Sequence, residues 1–515
     1  MTLPTETTTM SNELTAIDPE TNRLYRQLPS AHDVLLTPEM EAVLAVHSRS
    51  AVLAALRLVL QRIKQQIADG QHTHSSLAMV LASVDTAVIE ELKAAKQFSL
   101  QRVINATGVL LHTNLGRAPL SDSALDHIRE TASGYTNLEL DLVTGDRSRR
   151  DVHVEQLVLR LLRTRAGSGD KDDQPRAVVI VNNCAAATFL ALNSIAEGTE
   201  VLVSRGELVE IGGGFRIPEI LAKSHARLRE VGTTNRTRVA DYETAITQDS
   251  GLILRVHQSN FSIEGFTERP SLSELVALAR RANIPLFDDQ GTGLLDPLHD
   301  LGIQAQPTWV DSFRLGTDLI AASGDKLLGG PQCGLLVGRV DLIERIRRSP
   351  LLRAFRVDKL TYAALEATLM DHLWNDGKSL PVVKMLHADA AEILARCERI
   401  ASRVKPSDLT IEIAAVQSLI GGGTAPAAHL DSSALALRHR SQSPKALLSS
   451  LRKLEIPVIG RISADRVLLD LRTVEPEFDT TLERLLAQLA EFRVEADTPA
   501  SDAADVRSRD DSSPW

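Results

Sequence analysis

Three short apolar runs, at residues 177–181, 201–204 and 252–256, each break into small or polar residues, and helix-forming stretches separate them. Strands alternating with helices in this way specify a mostly parallel sheet, because parallel neighbours need a crossover connection. Open α/β sheets bind their ligands just beyond the carboxyl ends of the strands. The residues after each run therefore carry the functional argument. They are Asn182-Asn183-Cys184-Ala185-Ala186-Ala187-Thr188, Arg205-Gly206-Glu207 and His257-Gln258-Ser259-Asn260. Small residues at a strand-to-helix turn let a phosphate reach backbone N–H groups at a helix N-terminus, which places a phosphate at the run from Asn182 to Thr188. Tight helix–sheet packing is the plainer explanation of that run taken alone.

Two further segments sharpen the chemistry. Residues 284–293 read as a buried strand ending in Asp288-Asp289 and a glycine turn. Further on comes Ala321-Ala322-Ser323-Gly324-Asp325-Lys326-Leu327-Leu328-Gly329-Gly330-Pro331. A lysine among small and apolar residues is desolvated, which disfavours its charged form. A neutral amine can attack an aldehyde. A surface lysine on a glycine-rich turn is the bland alternative, and the strand-end carboxylate upstream argues against it. Pyridoxal phosphate (PLP) needs this pair: a lysine for its aldehyde and a carboxylate, here Asp289, that keeps its ring nitrogen protonated. His257, after another strand end, joins the cofactor-binding candidates.

A chain of 515 residues has room for about three domains. We expect a disordered acidic N-terminus at 1–21, a helical domain at 22–97, a PLP-binding large domain at 98–375, a small C-terminal α+β domain at 376–494 and a disordered acidic tail at 495–515. A surface loop is expected at 167–176. In the helical domain, Thr37-Pro38-Glu39 starts one helix, Ser50 is placed to cap a second, and a third follows Ser76. Arg49, Arg57, Arg62 and Lys64 lie in a stretch without acids. They form a possible phosphate-contacting face, although charge alone favours a solvated one. The net charge of −10 comes mostly from the acidic ends.

Other classes find little support. Aromatic residues make up only 3%, too few for base-stacking platforms. The triple glycine at 212–214 lacks the Lys-Ser/Thr of a P-loop, and neither GxGxxG, HExxH nor GxSxG occurs. No metal is expected. Cys184, Cys333 and Cys397 are far apart, which fits a reducing compartment. With no signal peptide and no membrane-length apolar run, a cytoplasmic protein is expected.

Several long runs carry a resemblance. They are Leu24-Tyr25-Arg26-Gln27-Leu28-Pro29-Ser30, the TGVLLHTNLGR run ending at Arg117, SRGELVEIGG from Ser204, and Val231-Gly232-Thr233-Thr234-Asn235-Arg236-Thr237. The SGDKLLGGPQ run, Arg353-Ala354-Phe355-Arg356-Val357-Asp358-Lys359 and Ile456-Pro457-Val458-Ile459-Gly460-Arg461-Ile462 continue it. Over residues 22–475 the chain resembles the bacterial selenocysteine synthases, L-seryl-tRNA(Sec) selenium transferases of the aspartate-aminotransferase-like PLP fold type I.

The resemblance implies an α/β fold of that type. It implies conversion of L-seryl-tRNA(Sec) to L-selenocysteyl-tRNA(Sec) by β-elimination to aminoacrylyl-tRNA, followed by selenium addition from selenophosphate. It also implies roles. Lys326 holds the cofactor as a Schiff base and then handles the α-proton. Asp289 pairs with the ring nitrogen, while Ser323 joins Cys184, Ala185 and Ala186 on the phosphate. Arg117, Arg353 and Arg356 bind anions. The last two, three apart, are expected to share one helical face with no acid on the near side. A ring-shaped homodecamer gripping tRNA with its N-terminal units is implied as well. Cys184 stands where the family commonly has Asn, and Gln290-Gly291-Thr292-Gly293 where it has Leu-Gly-Ser-Gly. Two rivals are a PLP-dependent lyase or aldolase acting on a free amino acid, and a non-catalytic tRNA-binding protein.

Overall fold

The structure is a computed structural model that describes residues 18–491, apart from 168–173, 212–213, 259, 262, 304–307, 406–407, 422–423 and 425–427. The expected acidic tail, residues 1–17 of the acidic N-terminus and most of the loop at 167–176 lie outside those residues. The chain divides into two compact units, Met1–Arg102 and Val103–Trp515.

Within the first unit, helices span Pro19–Tyr25, Ala31–Leu35, Pro38–Val46, Arg49–Ala68, His74–Leu81 and Val84–Lys96. Apolar residues at helical spacing, among them Val52, Leu56, Val59, Ile63 and Ile67, close a core with Met40, Leu77, Val84, Val88 and Leu92. Thr37 caps the third helix, accepting from Met40 N at 3.3 Å, with Pro38 in its first turn. Two expectations need correction. Ser48, not Ser50, caps the long helix by accepting from Ala51 N; Ser50 is already helical and only shares a hydrogen bond with the Ser48 hydroxyl. The helix expected after Ser76 is two helices. The first starts at His74 under a capping box made by Thr73 and Ser76, and the chain breaks at Ala82-Ser83 before resuming at Val84.

The second unit is built on a seven-stranded sheet ordered Arg176–Val181, Gly334–Arg339, Leu319–Ser323, Leu286–Asp289, Ser250–Val256, Glu200–Ser204 and Arg227–Val231. Only Gly334–Arg339 runs against its neighbours; the other four pairings are parallel. Apart from the largely exposed edge strand Arg227–Val231, the strands are buried on both faces because alternate residues feed different cores. Val179, Val181 and Ala321 pack with the helix Cys184–Ala196, whereas Val178, Ile180, Ile320 and Ala322 pack with Val154, Trp309 and Leu365.

A four-stranded antiparallel sheet of Leu409–Leu419, His429–His439, Arg466–Asp470 and Arg461–Ser463 follows. The helices Ala390–Arg403, Pro444–Arg452 and Asp479–Glu491 contribute to the core against it. The run at 104–111, expected to open the large domain, pairs with C-terminal segments instead, partly in a separate two-stranded sheet and partly at the end of Leu409–Leu419. Ile104–Asn105 pairs with Val458–Ile459, and Leu110 N and Leu111 N donate to the carbonyls of Leu419 and Ile420, each at 2.9 Å. Burial of Ile104 and Ala106 in the C-terminal core explains the pairing. Among the described residues no helix is long and apolar enough to cross a membrane.

Candidate active site

The strand Leu286–Asp289 ends in two consecutive carboxylates that face opposite ways, as strand geometry requires. Asp288, 0% exposed, accepts from Arg255 Nη1 at 2.9 Å and Ser312 Oγ at 2.5 Å. It is a satisfied core ion pair. Asp289, 7% exposed, turns to the helix Cys184–Ala196, where its Oδ2 accepts from Thr188 Oγ1 at 2.8 Å and its Oδ1 from Cys184 Sγ at 3.5 Å. Burial pushes the Asp289 carboxyl above its ordinary range, and these two donors and Lys326 oppose that push. Burial also keeps the Cys184 thiol protonated, so it can donate.

The neighbouring strand Leu319–Ser323 runs into the turn that carries Lys326. Gly324 N donates to Cys333 O at 2.9 Å, Gly330 N to Gly324 O at 2.8 Å and Leu327 N to Thr292 O at 3.0 Å, closing the loop and bracing it on the preceding strand's turn. Gly293 is required there: its φ is +70°, and a Cβ would fall 2.4 Å from the Ser323 carbonyl. From the other side His372 Nε2, itself buried, bonds the Leu328 carbonyl at 2.8 Å. Lys326 is 8% exposed. Burial lowers its pKa, the Arg117 charge adds to that, and Cys184, Asp325 and Asp289 pull the other way. The lysine and Asp289 are therefore close enough to act on each other.

Asn183 caps the helix Cys184–Ala196 by accepting from Ala186 N at 2.8 Å. Of the three residues expected around a phosphate, Ala186 has thus committed its amide, which leaves those of Cys184 and Ala185. Ser323 Oγ donates to Asp325 Oδ1 at 2.7 Å, and Arg117 Nη1 to Asp325 Oδ2 at 2.7 Å. Both residues expected to meet anions thus converge on the carboxylate next to Lys326. His257 N donates to Asp289 O at 3.0 Å, and His257 Nε2 bonds the Thr424 carbonyl at 3.0 Å. Burial lowers the His257 pKa.

The expected shared face of Arg353 and Arg356 is not formed. The helix Leu351–Phe355 stops one residue short, so Arg353 is helical and exposed while Arg356 is extended. Arg356 does have an acid, Glu139 at 3.3 Å, which also holds Arg150 and Arg147. Asn182 N donates to Phe355 O at 2.9 Å, placing Arg356 beside the turn that leads to Cys184. Thr188, Asp325 and Glu139 were not singled out from the sequence. The four-residue spacing of Cys184 and Thr188, one helical turn, was the available signal for the first.

These groups suit PLP. There is a buried amine for its aldehyde, a buried carboxylate with two donors for its ring nitrogen, and helix-N-terminal amides for its phosphate. With the sheet order above, they define the α/β fold of the PLP-dependent transferases of fold type I. A structure titled D-glucosaminate-6-phosphate ammonia-lyase has the same fold, with a TM-score of 0.52 at 20% identity, covering 77% of this chain and 98% of its own.

The chain belongs to the L-seryl-tRNA selenium transferase family, whose model matches residues 103–475; residues 25–63 match the model described as selenocysteine synthase N terminal. An L-seryl-tRNA(Sec) selenium transferase of Geobacter metallireducens is 41% identical over 91% of this chain and 100% of its own length. One from Geobacter sulfurreducens is 41% identical over 88% of this chain and 96% of its own.

Proposed function

We propose that this chain converts L-seryl-tRNA(Sec) to L-selenocysteyl-tRNA(Sec), with PLP as cofactor and selenophosphate as selenium donor. The observation that carries this reading is the buried Lys326 beside Asp289 at the ends of adjacent parallel strands, in a member of this family. When bound, PLP supplies an electron sink that makes the seryl α-proton removable and the β-hydroxyl expellable. Asp289 holds the proton on the ring nitrogen. Lys326, whose pKa burial lowers, binds the cofactor's aldehyde carbon and moves the proton at the substrate α-carbon. The amides of Cys184 and Ala185 hold the phosphate, the Ser323 hydroxyl joins them by turning from Asp325, and His257 lies at the adjoining strand end. Arg117, Arg353 and Arg356 bind the selenium donor, since planar guanidinium groups suit a phosphate-like anion. Arg49, Arg57 and Lys64 on the first unit's long helix meet tRNA phosphates. The working form is a homodecamer in the cytoplasm.

The test is direct. Pure protein with PLP, selenophosphate and seryl-tRNA(Sec) should yield selenocysteyl-tRNA(Sec), identified by mass spectrometry of the released aminoacyl group. Turnover of free serine with none of the esterified substrate would favour the lyase reading. Binding of tRNA without any conversion would favour the non-catalytic one.

A further inference from the structure

We propose that Thr188 is the positioning residue that keeps the Asp289 carboxylate fit to hold a proton on the cofactor's ring nitrogen, with the Cys184 thiol as a second clamp. The proposal rests on reading the site as a PLP pocket.

Thr188 is 0% exposed and sits in the helix Cys184–Ala196, whose other buried residues are Ala, Leu and Ile. Threonine is a mediocre helix former, so helix stability does not explain it there. Its hydroxyl lies 2.8 Å from Asp289 Oδ2 and 3.0 Å from the Cys184 carbonyl. One turn earlier on the same helix face, Cys184 Sγ lies 3.5 Å from Asp289 Oδ1. Each carboxylate oxygen thus has its own donor from one helix.

The hydroxyl has one proton and two acceptors. While Asp289 is ionised, the charged oxygen takes that proton, because charge-assisted hydrogen bonds are the stronger kind. Were Asp289 to be protonated, the hydroxyl could turn to the Cys184 carbonyl and accept from the acid. A hydroxyl therefore satisfies either state of Asp289. A methyl group satisfies neither, and it leaves a buried carboxylate oxygen without a donor. Burial already drives Asp289 towards its neutral form, and the Thr188 bond is the largest influence against it. Without that bond the carboxylate draws the proton off the ring nitrogen.

The experiment compares full-length wild type, Thr188→Val, Thr188→Ala and Thr188→Ser. Three quantities are measured: PLP affinity by absorbance titration, the ¹⁵N shift of ring-labelled bound PLP, and thermal unfolding of the cofactor-free protein. Thr188→Val should bind PLP about tenfold more weakly, the net value of one hydrogen bond to a charged group. Its ring-nitrogen signal should move towards neutral pyridine. Thr188→Ser should match wild type in both respects. Thr188→Ala, well suited to this helix, should repeat the valine result and serves in its place if valine does not fold. A valine or alanine variant that keeps wild-type affinity and a protonated ring nitrogen overturns the role, as does a serine variant that fails like valine. Failure of the wild type itself to take up PLP overturns the pocket reading and this proposal with it.

Discussion

Arg117 and Asp325 stand 208 residues apart in the chain and meet in a 2.7 Å ion pair directly beside Lys326. The two charges act on that lysine in opposite senses: Arg117 lowers its pKa and Asp325 raises it. Arg117→Ala should therefore move the pH of half-maximal PLP association rate upward, because more of the amine is protonated at a given pH. Asp325→Asn should move it downward. Stopped-flow absorbance against pH reads both. Shifts of the same sign would show that the pair acts only by holding the turn in shape.

Lys326 also makes stability depend on pH. Burial lowers its pKa in the folded protein below the ordinary 10.5, so at pH values between the two the unfolded chain binds more protons. Its contribution is fully present above 10.5 and is lost as pH falls through the folded value. Cofactor-free Lys326→Met should thus be more stable than cofactor-free wild type at low pH, and the gap should narrow as pH rises. Urea midpoints across the pH range check this. A constant gap would mean that the lysine is not desolvated in solution.

How much could be read in advance differs between parts of the molecule. Four strands of the main sheet, near residues 177–181, 201–204, 252–256 and 286–289, were legible because they are largely apolar, and Asp289 because a polar residue stands out at the end of such a run. Leu319–Ser323, Gly334–Arg339 and the charged Arg227–Val231 were not read as strands. Which of Asp288 and Asp289 faces the helix depends only on strand alternation, and that was open to reading. The place of residues 104–111 was not, since Ile104 pairs with Val458 far along the chain. Thr188 looked like a helix residue because its partner is 101 residues away. Ser48 and Ser50 are both good caps, and local chemistry could not choose between them.

The first unit should carry the tRNA affinity. It has its own core, and Arg49, Arg57 and Lys64 are exposed on or beside one long helix, whereas Arg62 is paired with Glu91 at 2.7 Å. Removing residues 1–102 should abolish tRNA binding and leave PLP bound. Arg57→Ala should reduce the log–log salt slope by roughly 0.9, the value for one phosphate contact on a duplex, while Arg62→Ala should do less because its charge is already partnered. Filter binding over a salt series measures both slopes. Undiminished affinity in the truncated protein would assign tRNA binding to the second unit.

Arg353 and Arg356 should differ, because the structure gives them different surroundings. Arg353 is exposed on its short helix, so its replacement by alanine costs the fold little. Arg356 shares Glu139 with Arg150 and Arg147, and its backbone bridges Val181 at the edge of the sheet. Glu139 is held below the ordinary carboxylate range, by Arg150 first and then Arg147, so it stays charged and keeps Arg356 oriented. If both arginines serve the selenium donor, Arg353→Ala should raise the selenophosphate requirement about tenfold with unchanged thermal stability. Arg356→Ala should raise it at least as much and also lower the unfolding temperature. Glu139→Gln should reproduce part of the Arg356→Ala defect by releasing the guanidinium it orients. PLP content and seryl-tRNA binding should persist in all three. Loss of PLP or of seryl-tRNA binding in Arg353→Ala, with no selective donor defect, would make the residue structural and leave Arg117 as the donor's arginine.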